Sequence, residues 1–78
     1  MQIHSTAVVE DGAILGKGCV VEPYAFVSSK AVLGDSVTIK QGARIIGDTH
    51  IGSGSKIYSY AIVGDIPPDI RQLVQSHL

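Results

Sequence analysis

The chain has 78 residues, of which 45% are hydrophobic, and its six Lys or Arg nearly balance seven Asp or Glu for a formal charge of -1. That length allows one core, and a domain so small buries only a modest share of its surface, so self-association or end caps are expected. Interspersed charges leave no footprint for nucleic acid or an anionic membrane; the apolar runs are far too short to span a bilayer, and Met-Gln-Ile-His is no leader, so the chain reads as cytoplasmic.

From its start the chain beats in sixes: Ile3, Val9, Leu15, Val21, Val27, Leu33, Ile39, Ile45, Ile51, Ile57 and Val63 are all branched aliphatics. A period of six fits neither a helix, near 3.6, nor a hairpin array, which alternates by two. Hexapeptide repeats predict a parallel β-helix. Four residues after each aliphatic comes a mostly small side chain: Ala7, Ala13, Cys19, Ala25, Ala31, Val37, Ala43, Thr49, Ser55 and Ala61. Each small residue stands two before the next aliphatic, the same-face spacing of an extended strand, so both point inward. All nine glycines lie one to three residues after an aliphatic, where the chain must turn. Eleven short strands separated by corners are therefore predicted.

Leu15-Gly16, Leu33-Gly34 and Ile51-Gly52 recur every eighteen residues, or three hexapeptides. One coil thus has three sides, and residues 3 to 63 make about three and a half coils stacked roughly 4.8 Å apart. The interior is aliphatic. Cys19 holds a small inward position and, as the single cysteine, has no internal disulfide partner; it reads as a buried small hydrophobe without an adjacent base to make it a nucleophile.

The residue between the two inward positions points outward. On the first side these are Val8, Phe26, Arg44 and Ile62, on the second Ile14, Val32 and His50, and on the third Val20, Thr38 and Lys56. Apolar residues favour the first two sides. An exposed apolar strip on a small protein marks an interface, so self-association along the edge joining those sides is expected.

The beat stops at Val63, and Pro67-Pro68 ends the strand rhythm. Asp69 followed by Gln72 has the form of a capping box, and Ile70, Leu73 and Val74 then fall at helical spacing. The predicted organisation is a hexapeptide-repeat β-helix over residues 1–65 and a helical cap or tail over 66–78, its apolar face laid on the open end of the last coil.

Four stretches resemble a known family: Ile-His-Ser-Thr-Ala-Val-Val-Glu-Asp-Gly-Ala (3–13), Val-Glu-Pro-Tyr-Ala-Phe-Val (21–27), Ile-Lys-Gln-Gly-Ala-Arg-Ile (39–45) and Tyr-Ala-Ile-Val-Gly-Asp-Ile-Pro-Pro-Asp (60–69). They are similar to the N-terminal coils of bacterial UDP-N-acetylglucosamine O-acyltransferases, which catalyse the first step of lipid A synthesis. The resemblance covers residues 3 to 70 and only about the first quarter of such an enzyme. It implies a left-handed β-helix, which the period alone leaves open, packed as a homotrimer. It also implies transfer of a 3-hydroxyacyl group from acyl carrier protein to the sugar 3-hydroxyl of UDP-N-acetylglucosamine. The base for that step is a histidine in a later coil, which this sequence lacks; no cofactor is implied.

None of His4, His50 and His77 stands in the Ala-His-Asp context of the family base, and none has a sequence partner to orient it, so no catalytic residue is assigned. Asp69 is the candidate substrate-binding residue. Pro68-Asp69 stands where the family has a Gln-Asp pair leading to a loop whose aspartate contacts the nucleotide sugar, although the cap of the predicted helix would explain the same residue. Zinc-binding γ-class carbonic anhydrases use a similar β-helix, but His4 and His50 fall on different sides and nearly three coils apart, so no metal site is expected. Two readings remain. One is a truncated N-terminal part of an acyltransferase, inactive alone; the other is a truncated or engineered homotrimeric scaffold without catalysis.

Overall fold

The computed structural model of the chain describes residues 1–64. Eleven strands of two or three residues succeed one another, each ending at or just past an aliphatic of the six-residue beat: β1 (Gln2–Ile3), β2 (Val8–Val9), β3 (Ile14–Leu15), β4 (Val20–Val21), β5 (Phe26–Val27), β6 (Val32–Leu33), β7 (Thr38–Ile39), β8 (Arg44–Ile46), β9 (His50–Ile51), β10 (Lys56–Ile57) and β11 (Ile62–Gly64). They sort into three parallel sheets, ordered β2-β5-β8-β11, β3-β6-β9 and β1-β4-β7-β10, which are the first, second and third sides of the predicted coil. The register advances by eighteen residues at every step, as in Val9 to Val27 and Leu15 to Leu33. Backbone groups therefore pair between coils rather than within one. The amide of Val20 donates to the carbonyl of Val37, and that of Thr38 to Ser55, each at 2.9 Å.

Corners need sharp turns, and the chain makes most of them in the left-handed region, the corners before Ala7 and Ala31 being exceptions. The residue just before the small inward side chain has positive φ at Gly12, Gly18, Tyr24, Ser36, Gly42, Gly54 and Tyr60. Glycine occupies such a position without strain, whereas Tyr24, Ser36 and Tyr60 do so against the steric preference of L-residues. Corner amides that miss the sheet ladder find side chains one coil away. The Glu10 carboxylate accepts from the Ser29 N–H at 3.0 Å, and the Glu22 carboxylate from the Gln41 N–H at 3.2 Å. One corner is irregular: β8 runs to Ile46, the left-handed residue moves to Gly47, and the Thr49 hydroxyl donates to the Ile46 carbonyl at 2.7 Å. The Ser28 hydroxyl donates to the Gly47 carbonyl at 2.6 Å, which satisfies the one buried polar side chain among the described residues.

The core is a single column of Cys19, Val21, Ala25, Val27, Ala31, Leu33, Val37, Ile39, Ala43 and Ile45, all fully or almost fully buried. Burying a large aliphatic in this way stabilises the fold by about 1.5–3 kcal/mol each. Among the described residues the column is open at both ends. Ile3 is 45% exposed, and Val9 and Leu15 at one end and Ile51, Ile57 and Val63 at the other are only half-buried. One glycine departs from the expected corners, since Gly64 is the last residue of β11 and pairs with Ile46. The helix expected over 66–78, with Asp69 and His77, lies outside the described residues.

Candidate functional site

The corner between the third and first sides gathers the described residues with the most polar and aromatic chemistry. His4 follows β1 there, and its Nδ1 accepts from the Thr6 amide at 3.1 Å and lies 2.8 Å from the Thr6 hydroxyl. Thr6 Oγ1 in turn accepts from the Tyr24 amide one coil on, at 3.1 Å. With Nδ1 taking an N–H, the neutral ring carries its proton on Nε2 and faces solvent as a donor. A general base needs a free lone pair within reach of a hydroxyl, which this arrangement does not offer. His4 also borders a shallow recess of about 480 Å³ with Ile3, Val21, Glu22 and Pro23.

Further along the same edge, Lys40 Nζ sits 3.7 Å from Glu22, and Tyr24, Tyr58 and Tyr60 stand about 70% exposed. All three tyrosines of the chain are thus on one edge. The outward positions of the strands do not group them, although Tyr24 and Tyr60 are 36 residues apart, two coils of eighteen. On the neighbouring first side, the Arg44 guanidinium lies over the Phe26 ring at 5.3 Å from its centroid, between the exposed Val8 and Ile62.

His50 is on the second side, as its register predicts. Its Nε2 is 3.6 Å from Asp48 Oδ1, with both side chains more than 70% exposed. The pair has the composition of an oriented base, yet both side chains stand in water. His50 is in β9 on the second side and His4 at the corner between the third and first sides, so the two are not brought together. Among the described residues no group of three or more His, Cys, Asp or Glu is placed to hold a metal ion, and no helix is long and apolar enough to cross a membrane. The candidate substrate contact Asp69 lies outside the described residues.

Comparison with known proteins adds what the geometry lacks. The bacterial transferase hexapeptide family (six repeats) matches residues 30–65. Over 68 residues, 87% of this chain and 26% of the other, the chain is 66% identical to the acyl-[acyl-carrier-protein]--UDP-N-acetylglucosamine O-acyltransferase of Campylobacter concisus. The enzyme of that name from Chlamydia caviae is 44% identical over 69 residues, 88% of this chain and 25% of the other. A solved structure of UDP-N-acetylglucosamine acyltransferase from Campylobacter jejuni superposes with a TM-score of 0.83 at 59% identity, covering 87% of this chain and 27% of that one. The chain spans about a quarter of the length of the curated relatives it matches. Its coils wind left-handed, the sense of that structure. Residues 30–65 thus match the hexapeptide repeat of bacterial transferases, and the coils are similar to part of the UDP-N-acetylglucosamine O-acyltransferases.

Proposed function

We propose that these coils serve as the N-terminal scaffold of an acyltransferase that moves an acyl group from acyl carrier protein to UDP-N-acetylglucosamine, opening lipid A synthesis. One observation carries the reading: 66% identity over 68 residues to an enzyme named for that transfer. A carrier-protein substrate goes with a cytoplasmic setting. In this reading the coils contribute a rigid wall and a subunit contact, while the base that deprotonates the sugar hydroxyl comes from sequence beyond them.

Assembly as a homotrimer belongs to the same proposal. Its support is the outward strip of Val8, Ile14 and Ile62, each more than half exposed on a chain with little core of its own. Light scattering on the purified chain at micromolar concentration is expected to give three chains per particle, and a monomer would overturn the trimer.

The chemistry is tested by supplying the purified 78-residue chain with acyl carrier protein bearing a 3-hydroxyacyl group and with UDP-N-acetylglucosamine. No acylated sugar nucleotide is expected, because His4 presents a donor and His50 stands in open solvent. Turnover above the uncatalysed rate would overturn the assignment of these coils as scaffold. A second reading, a trimeric scaffold with no transferase role, is favoured by the same two histidines. Binding of UDP-N-acetylglucosamine to the chain, measured by calorimetry, would count against it.

A further inference from the structure

Asp11 and Gly12 form the single Asp-Gly step of the sequence, at the corner between β2 and β3. Both residues are exposed. The corner demands its glycine, since Gly12 has φ 101° and a Cβ there would come 2.9 Å from the Ser29 carbonyl oxygen. That same glycine leaves the amide nitrogen after Asp11 without a side chain to shield it. Among the described residues this amide donates no hydrogen bond and the Asp11 carboxylate accepts none, so both groups are free to meet each other.

The other aspartates among the described residues, Asp35 and Asp48, are held. The Asp35 carboxylate accepts from the Lys17 amide at 2.9 Å, and the amide that follows it, of Ser36, donates to the Lys17 carbonyl at 2.7 Å. Any attack by the Ser36 nitrogen on the Asp35 side chain must first break both bonds between coils. Asp48 Oδ1 lies 3.6 Å from His50 Nε2, and the residue after it is Thr49, whose hydroxyl is tied to the Ile46 carbonyl. The branched side chain of Thr49 stands beside its own amide nitrogen and crowds an approach that Gly12 leaves open.

We infer that the Asp11-Gly12 corner is a site of spontaneous isoaspartate formation in the folded chain. The Gly12 nitrogen attacks Asp11 Cγ and gives up its proton, a carboxyl oxygen leaves as water, and a succinimide ring closes. Water then opens the ring at either carbonyl. Addition at Cγ restores aspartate, whereas addition at the main-chain carbon leaves Gly12 joined through Cγ beside a free α-carboxylate. One water leaves and one returns, so the step needs no cofactor or oxidant. The product puts an extra carbon into the main chain between β2 and β3, whose pairing with β5 and β6 sets a register that the longer corner no longer fits. This inference stands apart from the acyltransferase and trimer readings.

Its test ages the full chain at neutral pH in water enriched in heavy oxygen, folded and in denaturant, and locates isoaspartate and label by peptide mapping. Folding is expected to slow the reaction at Asp11 less than about threefold and at Asp35 at least about tenfold, because only Asp35 waits for the coils to part. Equal slowing at the two, or no isoaspartate at residue 11 of the folded chain, would overturn the inference. Asp11→Glu keeps a carboxylate but closes the larger ring poorly, and it is expected to abolish the product. The same yield of labelled product from that variant would overturn the assignment to Asp11.

Discussion

The ring of Tyr60 lies against Gly42, one coil below it on the same corner, so that a Cβ on residue 42 would come 2.5 Å from two ring carbons. Both residues are left-handed, Gly42 at φ 71° and Tyr60 at φ 64°. The glycine is thus required twice, once for its backbone angle and once for the ring above it.

Gly42→Ala is therefore expected to destabilise the chain by about 1–2 kcal/mol, mostly from the left-handed backbone, because the exposed Tyr60 ring has room to swing aside. Denaturant unfolding of Gly42→Ala and of Gly42→Ala with Tyr60→Gly separates the parts. The double variant should recover the smaller, steric share, as well as the strain at residue 60. An unaltered midpoint for Gly42→Ala would refute the account.

Much of this fold was legible because the repeat writes each residue's surroundings into its register. Ile3 to Val63 all end or nearly end a strand, and the eighteen-residue beat of Leu15, Leu33 and Ile51 is the observed pairing of β3, β6 and β9. Less was legible at the corners. Nothing in the spacing says that Tyr24, Ser36 and Tyr60 take the left-handed place that glycine takes elsewhere, since coil geometry there overrides local preference. The extra step from Ile46 to Gly47 was also hidden, because Arg44, Ile45 and Gly47 keep the repeat's composition while the turn shifts by one. For the candidate site, the separation of His4 from His50 followed from the register. The Thr6 partner that turns His4 into a donor did not, since it depends on a rotamer and not on spacing.

Burial along the column sets a gradient of mutational cost. Ile45 is fully buried in the penultimate coil, whereas Ile3, at the same inward position of the first, is 45% exposed. Ile45→Ala is expected to cost about 3 kcal/mol, and Ile3→Ala below about 1 kcal/mol, because only the former leaves a closed cavity. Equal costs, measured by chemical unfolding, would mean that the first coil is covered in solution.

Asp35 ties three coils together at one corner. Its carboxylate accepts from the Lys17 amide at 2.9 Å, its own amide donates to Ser53 Oγ at 3.0 Å, and its carbonyl accepts from the Gly54 amide at 2.8 Å. Asp35→Ala removes only the first of these and leaves the Lys17 amide to solvent, so a loss of about 1 kcal/mol is expected. Asp35→Asn keeps an acceptor oxygen and should recover most of it. The comparison is made by thermal unfolding at constant pH, and no difference between the two variants would show that the carboxylate's contribution is not this hydrogen bond.

Cys19 reports on whether the coil opens. Its side chain is fully buried, and its Sγ donates to the Gly34 carbonyl at 3.1 Å from within the core column. A thiol reagent can reach it only when the neighbouring coils part, because the ladder bonds from Val20 to Val37 and from Gln2 to Cys19 hold the strand on both sides. Labelling with a chromogenic disulfide should therefore run at least about a hundredfold slower than in denaturant, at a rate that follows unfolding and not reagent concentration once the reagent is in excess. A rate close to that of the denatured chain would mean that the coils separate readily on their own. Reagent-limited labelling that slows as protein concentration rises would instead show that the column is closed by association between chains.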